Sequence, residues 1–339
     1  MCAVELGLTT FAELYPTADA PAPSAAQRLR EVVAEAVATE RAGLDVYGVG
    51  EHHRKDFAAS APAVVLATIA GRTERIRLTS AVTVLSSDDP VRVYQDFATL
   101  DGLSNGRAEL MAGRGSFTES FPLFGLDLSD YDELFEEKLA LLLKIRDDEP
   151  VTWSGRFRAP LRDTIVYPRT EDRPLPVWIA VGGSPESVVR AGLLGLPLAI
   201  AIIGGQPARF KPLVDLYHRA LDEGGQERQP VAVHAHGYVA DTDEQAVADF
   251  YEPYARAMGI IGRERGWGPM TRAQFDAMRS QSGSLFVGTP DYVAEKVADL
   301  RDTLGLDRFM LHTSVGTLPH EKVVHGIELL GTKVAPQVR

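Results

Sequence analysis

Pro176-Val177-Trp178-Ile179-Ala180-Val181-Gly182-Gly183-Ser184-Pro185-Glu186-Ser187 reads as a buried strand that breaks at paired glycines and restarts as a helix. Ser184 suits the N-cap, and Pro185 suits the first helical position, where its missing N–H costs nothing. The free amides beyond them point back over the end of the strand, which makes the turn an anion cradle with phosphate as its natural guest. Read alone, the same Ser-Pro pair also does no more than start a helix.

Working outward from this unit, strand-like and helix-like periods alternate along the whole chain. The strand candidates are Val4–Thr10, Val46–Val49, Arg77–Val84, Ala108–Met111, Val177–Val181, Leu198–Ile203, Val231–Gly237 and Phe309–His312. Helical runs lie between them, among them Ala25–Ala42, Val91–Leu103, Asp132–Ile145, Phe210–Leu221, Glu244–Met258 and Tyr292–Leu304. Eight βα units with no break in composition predict a closed parallel TIM (β/α)8 barrel, formed as a single domain over residues 1–339, rather than an open doubly wound sheet. Two excursions interrupt the pattern: residues 147–167, which read as a hairpin, and residues 260–286, which read as a lid. In such a barrel the functional groups sit just after the strands.

Composition narrows the possible functions. Of 339 residues, 45% are hydrophobic, and the formal net charge is −12. An acidic chain without a basic cluster does not suit a nucleic-acid partner. The single cysteine, Cys2, excludes an internal disulfide and a thiolate metal cage, and its place makes it a poor buried nucleophile. The first residues lack a basic region followed by an apolar one, and Pro197 interrupts the longest apolar stretch, 192–205, so the expectation is a soluble cytoplasmic protein away from membranes.

Several residues at strand ends carry chemistry. After the second strand, Glu51-His52-His53-Arg54 brings a carboxylate and two imidazoles to the functional face, and a neutral imidazole can move one proton near neutral pH. After the fourth, Gly113-Arg114-Gly115-Ser116 lets the backbone approach a planar ligand and offers a guanidinium fork to an anion. His234 and His236 share one face of the seventh strand, and with Asp241, Asp243 and His312 they form a candidate metal group. The absence of a Glu-x-x-His pattern favours barrel-interior or substrate-facing histidines and no metal. Phe117, Phe121 and Phe124 are candidates for an apolar wall, and the acidic run 132–138 reads as a solvated helix face.

Glu51-His52-His53, the run Ser80 to Arg92, Gly113-Arg114-Gly115 and Gly182-Gly183-Ser184-Pro185-Glu186-Ser187, taken in this order, resemble the bacterial-luciferase-like flavin monooxygenases, on the uncharacterised oxidoreductase branch. The resemblance runs from about Leu6 to Leu330. It implies a barrel that holds FMN at its carboxyl end, often as reduced FMN delivered by a separate flavin reductase. It implies further that Ser184, Ser187 and the Gly183 backbone hold the phosphate beside Gly182, that Arg114 adds charge, and that Val181 and Gly113 lie near the isoalloxazine. The third strand then backs the ring, with a non-proline cis peptide within Ser80, Ala81 and Val82. His52 matches the family's histidine beside the reactive flavin carbon, with Glu51 as its catalytic neighbour. The activity so implied is oxygenation of a small organic substrate by O2, in a protein expected to be a homodimer. Two positions depart from the pattern. Gly113 stands where light-emitting members carry a reactive cysteine, and Asp132 stands where many relatives place a second phosphate-binding arginine. Three alternatives remain open: hydride transfer with a deazaflavin, a metal-dependent hydrolase built on His234 and His236, and a flavin-binding protein without catalysis.

Overall fold

A computed structural model describes residues 3–17, 21–115 and 117–339, so Cys2 and Ser116 lie outside the described residues. Apolar runs flanked by helix caps give the strand–helix alternation its form. Among the described residues, eight parallel strands close into a barrel. They are β1 (Glu5–Thr10), β2 (Val46–Val49), β3 (Arg77–Ser80), β4 (Ala108–Gly113), β5 (Val177–Val181), β6 (Leu198–Ile202), β7 (Val231–Val239) and β8 (Arg308–His312). Each pairs with the next, and β8 closes on β1 with Thr9 opposite His312. Helices pack outside. Ser24, Asp89, Ser184 and Thr289 each cap one of them by accepting a main-chain N–H, which satisfies donors that a helix start leaves free.

The barrel interior is filled from its amino end. Arg308 is 2% exposed and held there by Glu109 at 2.6 and 3.1 Å and Glu5 at 2.8 Å, with its guanidinium over Trp178. Above it, Val46, Met111, Trp178, Ala199, Ala232 and Met310 form an apolar layer. Charge compensation makes the buried arginine tolerable, and the two layers plug the barrel so that it opens only at the carboxyl ends.

The structure corrects several expectations. The run Arg77–Val84 is not one strand: β3 stops at Ser80, the Ala81–Val82 peptide is cis, and Thr83–Val84 pairs separately with β4. At the break, the Ser80 hydroxyl takes over the ladder, donating to the Met111 carbonyl and accepting the Met111 N–H, both at 3.0 Å. The acidic run 132–138 begins the helix Tyr131–Asp147, where Asp132, Glu133 and Glu136 are exposed as expected and only Glu137 turns to the main chain of a hairpin whose strands are Val151–Trp153 and Leu161–Thr164. Glu137 accepts the N–H groups of Arg156 at 2.6 Å and Phe157 at 2.9 Å, while Glu133 and Asp130 pair with the Arg156 guanidinium.

Beyond β7 the helix Asp243–Glu264 outruns the expected Met258, a second helix spans Arg272–Arg279, and Phe286–Gly288 pairs with the far end of β7. Three residues are too short a run to show a strand period in sequence. Among the described residues no helix is long and apolar enough to cross a membrane.

Candidate active site

A cavity of about 570 Å³ lies at the carboxyl ends of the strands. Its lining includes Glu51, His52, Ala81, Val82, Gly113, Arg114, Val181, Gly182 and Ser184, so most of the residues singled out in the sequence meet there. Ser80, Gly183 and Ser187 lie behind it: Ser80 is spent on the β3–β4 joint, and Ser187 is 3% exposed.

At one end of the cavity is the helix start that follows β5. Gly183 has φ +125°, a conformation that side chains resist, and this turns the chain from strand to cap. Ser184 accepts the Ser187 N–H at 3.4 Å and donates its own hydroxyl to the Glu186 carboxylate at 2.8 Å. The Glu186 carboxyl is held below its ordinary value by its own main-chain N–H and then by Ser184, so an anion already sits at this helix end. Arg114 points the same way. Its guanidinium is paired with Asp132 and lies over the Tyr131 ring, so the residue that replaces a second arginine occupies the first.

On the β2 side, the strand ends at Val49 and the chain turns through Gly50, where a Cβ would fall 2.1 Å from the Phe11 ring. The three residues that follow then diverge. Glu51 accepts the Val84 N–H at 2.9 Å with one oxygen and bonds His53 Nε2 at 2.7 Å with the other. His53 is raised above its ordinary value, chiefly by that bond. The carboxylate against His52 is Glu119, with Nδ1 to Oε1 at 3.3 Å. A carboxylate only accepts, so Nδ1 carries the hydrogen and Nε2 is left for the cavity. Burial raises the Glu119 carboxyl, but the His52 bond and main-chain N–H groups outweigh it and the net direction is downward. The His52 ring is clamped by Phe57, stacked at 4.2 Å, and by the edges of Phe11 and Phe117, each at 4.9 Å. Of the other two aromatics, Phe121 is buried against Tyr131 and Phe124 is exposed beside His53.

Across the floor lie His234 and His236 of β7 and His312 of β8. Asp241 and Asp243 do not join them: Asp241 binds His325, and Asp243 pairs with Arg279. Among the described residues no group of three or more histidine, cysteine or acidic side chains is arranged to hold a metal ion. Glu13, which the sequence reading passed over, bonds His312 instead. Glu119 and Glu13 both follow barrel strands closely, and that position is the signal that points to them. Over the mouth, Ile261, Arg265 and Trp267 complete the lining, and Arg54 ties the rim to Glu264. Arg54 and Arg265 each lie 5.0 Å from the Phe117 ring centre.

The sequence model of the family described as luciferase-like monooxygenase matches residues 9–308. The chain belongs to that family. Within the luciferase-like monooxygenases it is 27% identical to the N-acetyl-S-alkylcysteine monooxygenase of Bacillus subtilis, with 86% of this chain and 89% of the relative covered. Its fold is shared with the oxygenating constituent of 3,6-diketocamphane monooxygenase from Pseudomonas putida, solved in complex with FMN, at a TM-score of 0.78 and 20% identity over 99% of each chain. A second solved likeness is an F420-dependent secondary alcohol dehydrogenase, at a TM-score of 0.76 and 18% identity over 100% of both chains. Proteins that share this fold therefore include one solved with FMN and one that depends on F420.

Proposed function

We propose that this luciferase-like chain is an FMN-dependent monooxygenase that oxygenates a small organic substrate with O2, the reduced flavin arriving from a separate reductase. The observation that carries the reading is one continuous cavity joining an anion-seating helix start at Ser184 to the carboxylate-held imidazole of His52. The residues fit FMN. The Glu186 carboxylate marks an anion seat at the helix start, and the backbone is bare where a flat ring needs it: nothing lies within 4 Å of a Cβ built on Gly182, and one on Gly113 would meet Val82 at 2.8 Å.

When bound, reduced FMN would supply the electrons that activate O2. Ser184 would hold its phosphate at the helix start that Gly183 and Ser187 shape from behind, with Arg114 adding charge. Val181, Gly182, Gly113, Ala81 and Val82 would flank the ring, with Ser80 bracing Ala81 and Val82 from behind. His52 would move a proton at Nε2 while Glu119 fixes its tautomer, the usual division of labour between an imidazole and its carboxylate. Glu51 would act through position, holding His53 and the Val84 N–H. Phe11, Phe57 and Phe117 would keep water from His52, and residues 260–286 would cover the mouth. A homodimer is the proposed assembly. An apolar groove on the outer helices, lined by Val33, Val37, Val64 and Val324, with Val64 67% exposed, offers a face for a second copy.

The deciding experiment supplies reduced FMN and reduced deazaflavin in turn, each with O2 and a panel of small aldehydes, ketones, thioethers and phenols. Oxygenated product with reduced FMN alone is expected. Turnover with reduced deazaflavin and none with reduced FMN would overturn the assignment.

A further inference from the structure

Beside Phe11, whose ring touches both His52 and His312, a second chain of polar groups crosses the cavity floor. Glu13 is 2% exposed and bonds His312 Nε2 at 2.5 Å, and Ser314 donates to its other oxygen at 2.8 Å. Thr10 accepts the Ala12 N–H at 3.0 Å, lies 3.0 Å from Ser314 Oγ, and donates to the same Glu13 oxygen at 3.5 Å. All the donors around Glu13 thus converge on an ionised carboxylate. Burial alone would raise this carboxyl, but His312 reverses that and its net direction is downward. The nearest guanidinium, Arg28, is held by Glu35 at 2.6 and 3.0 Å and reaches only Thr10, at 3.5 Å.

The hydrogens then follow in one direction. An ionised carboxylate only accepts, so His312 carries a hydrogen on Nε2, and in its neutral form it presents a lone pair at Nδ1. That nitrogen lies 3.3 Å from His234 Nε2, which therefore donates. His234 lines the cavity, and its remaining ring nitrogen, Nδ1, is a lone pair with no hydrogen-bond partner among the described residues. The neighbouring His236 turns its own Nδ1 toward the Tyr254 hydroxyl, 3.4 Å away, and does not enter the chain.

We propose that Glu13, His312 and His234 form a proton relay whose open end, His234 Nδ1, receives the hydroxyl of an acidic alcohol such as a phenol or enol and takes its proton. The substrate O–H bond breaks and a His234 Nδ1–H bond forms. At the same time His234 Nε2–H passes its hydrogen to His312 Nδ1. The products are a substrate oxyanion held by His234 N–H and a His312 imidazolium stabilised by the Glu13 carboxylate, as in a carboxylate-backed histidine base. Burial and then His312 push His234 down to about 3, so it conducts the proton without storing it. An electron-rich oxyanion is the form of such a substrate that accepts oxygen most readily. This inference names the substrate class for the proposed monooxygenase and rests on that reading for the identity of the cavity.

The test uses 4-nitrophenol as an optical probe, bound to the flavin-free protein in a buffer well below the phenol's own pKa. Binding to the wild type is expected to bring up the phenolate absorbance band. Glu13→Gln, which keeps the shape but removes the charge, and His234→Phe should each cut the bound phenolate share by roughly tenfold, the scale of one hydrogen bond to a charged group. 4-Nitroanisole, which has no proton to give, should bind all three proteins alike. If His234→Phe does not fold, His312→Gln replaces it. Three outcomes would overturn the relay: no saturable binding of 4-nitrophenol, wild-type binding with no phenolate band, or a band that persists in the folded variants. FMN binding to the same preparations, followed by flavin fluorescence, is read separately. Absence of the phenolate band from the wild type with FMN binding intact counts against the relay alone, whereas a wild-type band with no FMN binding counts against the cofactor assignment alone.

Discussion

Two carboxylate–imidazole devices border one cavity, and the Phe11 ring touches both, its centre 4.9 Å from His52 and 4.6 Å from His312. The rim device, Glu119 with His52, has a carboxylate side chain 19% exposed, and its bond is 3.3 Å long. In the floor device, Glu13 with His312, the side chains are 2% and 1% exposed and the bond is 2.5 Å. The difference teaches how depth sets behaviour. Near solvent a carboxylate can orient an imidazole and leave its proton to exchange freely. Fully buried, each carboxylate lone pair must find a donor, and the same pair becomes part of a closed network.

Four measurements can break or sharpen the contrast. The largest effect is expected at the rim, where His52→Ala should lower kcat by roughly 10²–10⁴-fold, the scale of general acid–base catalysis, with FMN affinity unchanged in fluorescence titration. Unchanged turnover would remove His52 from the reaction. Next comes stability. Glu13→Ala strands His312 and Ser314 in the interior and should cost about 3–5 kcal/mol in denaturant unfolding, while Glu119→Ala at the rim should cost roughly 1 kcal/mol. Equal losses would erase the distinction of depth.

The third measurement is a histidine titration by NMR. His53 should titrate above the ordinary 6.5, raised chiefly by its bond to Glu51, whereas His234 should stay neutral down to about pH 3. Because the folded-state value of His53 is raised, its stabilisation is fully present below about 6.5 and fades as pH rises through the folded value. Glu51→Gln should remove that part of the pH dependence. The smallest effect concerns the anion seat. Asp132→Asn releases Arg114 and should tighten FMN binding about two- to fivefold, the worth of an exposed ion pair, and weaker binding would show that Asp132 positions Arg114 rather than competing for it.

The same contrast explains what could be read from sequence. Periodicity and the strand–glycine–helix pattern at 176–187 were enough for the barrel, because each βα unit is local and repeats. The rim was legible because Glu51, His52 and His53 are consecutive and follow a strand, and the capped helix start at Ser184 because its cap and glycines adjoin. Pairings across the chain were hidden. Glu119 lies 67 residues from His52, and Glu13 lies 299 from His312. No local period records which carboxylate faces which ring. Glu137 shows the same limit, since nothing in its acidic run marks it as the one carboxylate that the hairpin main chain, about 20 residues further on, will bond.

The register of Thr9 opposite His312 joins the first barrel strand to the last, and Glu13 meets His312 just beyond that seam. Synthesis therefore completes the rim motif early but brings the floor together only when the final strand arrives. A chain released before residue 312 carries the histidines most easily recognised in its sequence and lacks the partner that organises the floor beneath them. Closing the barrel and completing the cavity floor are the same event, so an unfinished copy has no finished cavity to offer a ligand.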